Sequence, residues 1–203
     1  MGLFLAMSCV VGGSRAAVEG CLSLFVSERK GALEPTSATL PEKQEARLIE
    51  SPAGVTFVYP DGFTEWDEAS ARLSRELKTP VFSFHIHDGD LWMFVAFADG
   101  RESAKFNPIP DYWEELPACE REKWLPTAEE IAAYVPGVSP QAIAPYLREW
   151  RDDDSLGGQR ANPNDEFGYG VDWQVVDFMR QLGFVYPGPG EGAAYRFSVS
   201  RRR

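Results

Sequence analysis

PVFSFHIHDGDLWMFVAFADGRESAKFN, residues 80–107, is the stretch on which the fold turns. Asp88-Gly89 and Asp99-Gly100 are dipeptides that reach positive φ at little cost, and each reads as a two-residue hairpin loop. Three strands follow, at 80–87, 90–98 and 101–107. Two-residue loops would set the register. His87 then faces Asp90, His85 faces Trp92 and Ser83 faces Phe94; on the next pair Phe97 faces Glu102, Val95 faces Ala104 and Met93 faces Phe106. Side chains alternate along a strand, so this register sorts the faces. One face collects Phe82, Phe84, Ile86, Leu91, Met93, Val95, Phe97, Ala104 and Phe106. The other collects Ser83, His85, His87, Asp90, Trp92, Phe94, Arg101, Ser103, Lys105 and Asn107. The first is a core face. The second mixes aromatic bodies with groups that titrate, so it needs a cover, either another part of the chain or a partner.

Upstream, residues 3–11 are a continuous apolar run of strand length, broken by Gly12-Gly13. Ser14 can cap a helix in which Val18, Cys21, Leu22 and Phe25 recur at helical spacing. Residues 31–44 read as a surface connection, and short strands are expected at 46–50 and 55–59. Thr64 opens a second helix with Trp66, Ala69, Ser70, Leu73 and Leu77 on one face. Strand, helix, strand, strand, helix, strand is the order of a ferredoxin-like β-α-β-β-α-β sheet. The expected class is therefore α+β: a ferredoxin-like sheet extended by a β-meander. Both helices would meet the apolar face, leaving the face of His85 and Trp92 open.

Downstream of Asn107 the pattern turns helical. Thr127 and Glu130 form a capping box, Ser139-Pro140 opens another helix, and Pro145 should interrupt it. Residues 151–170 read as a long acidic loop. Asp172 precedes a helix with Val175, Val176, Met179 and Leu182 inward, and a last strand is expected at 195–199. The chain thus divides into an α+β sheet domain, 1–107, and a helical C-terminal extension, 108–203, packed on the sheet as one compact unit.

The chain has 31 acidic and 20 basic residues among 203, a net charge of −11. That balance argues against general binding to nucleic acid or to an anionic membrane, and favours a basic or neutral protein partner. The N-terminal apolar run lacks the basic residues of a signal peptide and is too short to span a bilayer, so a cytoplasmic protein is expected. Cys9, Cys21 and Cys119 are widely spaced with no CxxC pair, and read as reduced thiols.

Three constellations bear on chemistry. His85-x-His87 places both imidazoles on one face with Asp90 across the turn, a set that would suit Zn²⁺ or Fe²⁺. It resembles the HxH of cupins but lacks that motif's downstream Glu and third His. No metal and no cofactor is therefore assigned; the candidate ligands are His85, His87 and Asp90, with Asp88 or a distant carboxylate such as Asp111 as the other choices for a third ligand. Asp152, Asp153 and Asp154, with Asp165 and Glu166, lack the spacing of a calcium loop and read as an acidic rim that docks a basic partner. Residues 130–147, EIAAYVPGVSPQAIAPYL, resemble the helix-turn-helix phrase of bacterial DNA-binding proteins. The second helix offers only Gln141 and Arg148 to bases or phosphates, so a packing pair is expected.

There is no phosphate-cradling glycine loop and no nucleophile elbow, and no catalytic residue is assigned. The expectation is a cytoplasmic, acidic protein-interaction module of bacterial type, immunity- or antitoxin-like. Its binding residues would be His85, His87, Asp90, Trp92, Asp152, Asp153 and Asp154. The alternatives are a metal-dependent enzyme centred on His85, His87 and Asp90, and a helix-turn-helix-like regulator.

Overall fold

The computed structural model describes residues 2–150 and 157–199. The N-terminal half gives β1 (Leu5–Val11), α1 (Arg15–Ser27), β2 (Ala32–Pro35), β3 (Glu45–Ser51), β4 (Gly54–Val58) and α2 (Trp66–Leu77). Then come the meander strands β5 (Val81–His87), β6 (Leu91–Ala98) and β7 (Arg101–Phe106). Short helices α3 (Ala118–Arg121), α4 (Ala128–Ala132) and α5 (Pro140–Ile143) follow, then α6 (Gln174–Gln181) and β8 (Ala193–Ser198). The strands form one open antiparallel sheet in the order β2-β8-β3-β4-β1-β5-β6-β7. The apolar run at the N-terminus becomes a central strand, with β4 on one side and β5 on the other.

Local signals explain several boundaries. Ser14 Oγ accepts from the Ala17 N–H at the start of α1. Thr127 and Glu130 close a reciprocal capping box on α4. Pro145 stops α5 at Ile143, and residues 144–146 continue as a single 3₁₀ turn, because proline has no N–H to extend the helix. Other signals were misleading. The α2 cap position falls on Glu65, with no side-chain cap from Thr64. The connection at 31–44 contains β2, which pairs with β8.

Both faces of the sheet are covered. On one, Val18, Leu22, Phe25 and Val26 of α1 and Ala69 and Leu73 of α2 pack on Ala6, Val10, Val55, Phe57 and Val81. On the other, Ile131 of α4, Ile143 of α5, Tyr146 and Val175, Phe178 and Met179 of α6 pack on Met7, Cys9, Phe82, Phe84, Trp92, Phe94 and Phe106. Phe178 is the centre of this second core. Its ring lies 5.2 Å from Trp92, 5.6 Å from Tyr146, 5.7 Å from Phe94 and 6.1 Å from Phe84. With cover on both sides, every residue of β5 from Val81 to Ile86 is buried.

The register corrects the sequence reading of the meander. His87 pairs with Leu91, Ile86 with Trp92 and His85 with Met93, so the first loop holds Asp88, Gly89 and Asp90. Asp88 and Gly89 both take positive φ, and Asp90 N–H closes the turn on His87 O at 2.9 Å. Asp90 is thus one residue more than a two-residue loop allows. A one-residue slip moves every side chain to the opposite face. Trp92, Phe94 and Ala96 join Phe82, Phe84 and Ile86 under the C-terminal helices, while Leu91, Met93 and Val95 join Ser83 and His85 on the α2 side. The second hairpin keeps its two-residue loop, with Phe97 opposite Glu102. A bulge then shifts the pairing to Phe94–Phe106, and the hydroxyl of Ser103 donates to Ala96 O at 3.0 Å.

The segment after residue 157 is held down by buried carboxylates. Asp165 accepts from the Tyr146 hydroxyl at 2.6 Å and the Asn162 N–H at 2.7 Å. Asp177 accepts from the Phe167 and Glu166 N–H groups at 2.7 and 2.9 Å and pairs with Arg180 at 2.6 Å. Part of the expected acidic rim is therefore a strut inside the fold.

Candidate docking surface at the β5–β6 turn

The turn at Asp88–Asp90 carries a second layer, the N-terminal segment. Gly89 N–H donates to Leu3 O at 3.0 Å. Gly2 lies so close to Asp88 that an added Cβ would stand 1.8 Å from a carboxylate oxygen and 2.1 Å from the carbonyl oxygen. Glycine is the residue that permits this approach. It fixes Leu3 and Phe4 over the end of β5, where they remain 37% and 44% exposed.

The third contributor is the loop after β7. Asp111 accepts from Leu116 N–H at 2.8 Å and pairs with Arg121 at 3.0 Å, which folds residues 111–116 into a tight bend. Tyr112 and Trp113 project from it toward His87, and Trp113 is 54% exposed.

Together these elements build a strip of rings. Trp66 at the start of α2 stacks on His85, centroids 4.5 Å apart and planes within 10°. His85 lies 5.6 Å from His87. His87 then meets Phe4, Tyr112 and Trp113 at 5.2, 5.6 and 5.1 Å, each nearly perpendicular, and Tyr112 meets Trp113 at 5.0 Å and 79°. The strip runs from the interior to solvent. His85 is 6% exposed, and its burial, with the neighbouring His87 adding, pushes the imidazole down to about 4; a hydrogen bond to the Leu5 backbone opposes this. His85 is thus neutral at pH 7, and its Nδ1 is buried without a partner among the described residues.

Carboxylates border the exposed end. The Tyr112 hydroxyl donates to Asp90 at 2.5 Å. That bond, with burial and the charges of Asp90 and Asp88 adding, raises the phenol above its ordinary value. Asp172 is raised first by burial and also by the charge of Asp90. Glu114 and Glu115 are exposed beside Trp113. Among the described residues, none of Asp88, Asp90, Glu114, Glu115 and Asp172 forms an ion pair.

Of the residues singled out from sequence, His85, His87 and Asp90 come together here. Trp92 does not: it is fully buried on the opposite face, its indole N–H directed to Gln174 Oε1 at 3.4 Å. Asp152, Asp153 and Asp154 lie outside the described residues. Among the described residues no three His, Cys, Asp or Glu side chains gather as a metal site would require. The helix-turn-helix phrase forms two short helices whose Ile131 and Ile143 face the core, and Arg148 stands over the Tyr169 ring. Phe4, Tyr112 and Trp113 were not found from sequence. The available signal was the adjacent Tyr112-Trp113 pair between Pro110 and Glu114-Glu115, an aromatic pair in a segment with no periodicity.

Elsewhere, a concave surface of about 560 Å³ is lined by Arg47, Glu166, Phe167, Trp173, Val176 and Tyr186. Its one cation, Arg47, is already held by Glu45 at 2.5 Å and Glu191 O at 3.0 Å. No described helix is long and apolar enough to cross a membrane. No protein-family model matches the chain, and no curated protein or solved structure matches it.

Proposed function

We propose that the protein is an interaction module that docks a basic protein partner at the β5–β6 turn, in the manner of a small inhibitor of immunity or antitoxin kind. One observation carries this reading: Phe4 and Trp113 stand exposed around His87 inside a border of unpaired carboxylates. Interface hot spots are enriched in large aromatic side chains surrounded by a polar rim. The net charge of −11 adds long-range steering toward a cationic surface. The free thiols, Cys119 exposed among them, favour action in a reducing cytoplasm. The order β3-β4-β1-β5 with α1 and α2 on one face supports reading the central unit as ferredoxin-like, here carrying additional strands on both sides.

The reading is tested by capturing partners on the immobilised full chain at low and high salt. Recovery of a basic protein that falls steeply as salt rises, and that is reduced by Trp113→Ala and lost with Asp88→Lys, Asp90→Lys, is the expected result. A partner retained equally by all variants would contradict it.

A further inference from the structure

We propose that the corner of Phe4, His87, Tyr112 and Trp113 is an arginine-binding site that seats a guanidinium group of the partner; this rests on the docking function proposed above. The chain already builds the same arrangement twice with its own residues. Arg29 lies over the Phe25 ring at 3.6 Å and pairs with Glu65. Arg15 lies 5.9 Å from the Tyr195 ring centroid and pairs with Glu19 at 2.5 Å, and the Tyr195 hydroxyl donates to that same Glu19. Each is a triangle of ring, carboxylate and guanidinium.

At the turn two corners of the triangle recur. The Tyr112 hydroxyl donates to Asp90, as Tyr195 does to Glu19. Trp113 stands nearly perpendicular to both Tyr112 and His87, so the rings form walls rather than a flat plate. Among the described residues no Arg or Lys stands over Phe4, Tyr112 or Trp113. The charges of Asp88 and Asp90 act on Tyr112, and that of Asp90 on Asp172, so negative potential accumulates there and a cation would relieve it.

A guanidinium fits this chemistry better than an ammonium. It is planar, weakly hydrated, stacks on a ring face, and still donates sideways to carboxylates. Lysine can also stand over a ring, as Lys105 does over Trp124 while pairing with Glu102, but its ammonium is compact, more strongly hydrated and has no planar face to stack.

The test is a titration of the ¹⁵N-labelled full chain with acetyl-tetra-arginine amide, and with its citrulline and lysine counterparts, at low salt. The expected result is shifts concentrated on Phe4, His87, Tyr112 and the Trp113 indole, with arginine tighter than lysine and citrulline inert. Trp113→Ala should weaken arginine binding about two- to fivefold, the factor expected of an exposed cation–π contact, while Trp113→Phe retains most of it. A dispersed spectrum of each variant shows that it is folded. Equal binding of the lysine peptide overturns the guanidinium assignment. Shifts elsewhere, unaffected by Trp113→Ala, overturn the anchor but leave the docking reading standing if partner capture still depends on Asp88 and Asp90. Absence of arginine binding together with variant-insensitive capture overturns both.

Discussion

His85 is a histidine that the fold keeps neutral. Its folded value of about 4 lies below the usual 6.5, so between those values the unfolded chain binds the extra proton. The contribution of His85 is therefore complete above pH 6.5, is lost as pH falls through that window, and amounts to roughly 3 kcal/mol. Urea unfolding measured from pH 7 to pH 4 should show this loss, and His85→Phe, which keeps a ring against Trp66, should flatten the slope. Trp113 makes the opposite case. It is more than half exposed, so Trp113→Ala should change unfolding free energy by no more than about 0.5 kcal/mol while weakening binding. The sequence pointed to His85 and His87 because histidine is rare here. It did not point to Trp113, because exposure depends on the bend that Asp111 makes with Leu116 and Arg121, and no local pattern encodes those contacts.

The β5–β6 hairpin shows why one element was legible in kind and not in register. Its β6 residues, LWMFVAFA, are apolar on both alternating sets. A strand covered on both faces has no polar set to mark the solvent side, so alternation could not distinguish a two-residue loop from a three-residue one. β5 retained its reading because Phe82, Phe84 and Ile86 alternate with Ser83 and His85. Deleting Asp90 would force the shorter loop and drive Trp92 and Phe94 toward α2. Loss of the cooperative unfolding transition is expected, whereas Asp90→Asn should unfold cooperatively; a normal transition in the deletion would contradict the register. Asp177 offers a similar test for the loop after residue 157. Its carboxylate is fully buried and binds two backbone N–H groups and Arg180. Arg180 is half exposed, so Asp177→Ala strands backbone N–H groups rather than a buried charge; it should cost about 1–3 kcal/mol by thermal or urea unfolding and open residues 157–170 to protease before the rest of the chain. Composition alone suggested a solvated acidic loop, since nothing local distinguishes a buried Asp from an exposed one.

At the scale of the molecule, the α+β class follows from periodicity and punctuation. The outer strands do not. β2 is four residues long, contains Pro35, and exists because β8 returns from the far end of the chain to pair with it. With both sheet faces covered, the proposed docking surface sits at the rim, where the N-terminal segment, the β5–β6 turn and the loop after β7 expose Phe4 and Trp113. Hydroxyl-radical footprinting of the full chain, free and bound to the partner it captures, tests that placement most directly. Protection of Phe4, Tyr112 and Trp113, with Phe167, Trp173 and Tyr186 unchanged, is the predicted result; protection of the second set with the first left reactive would contradict it.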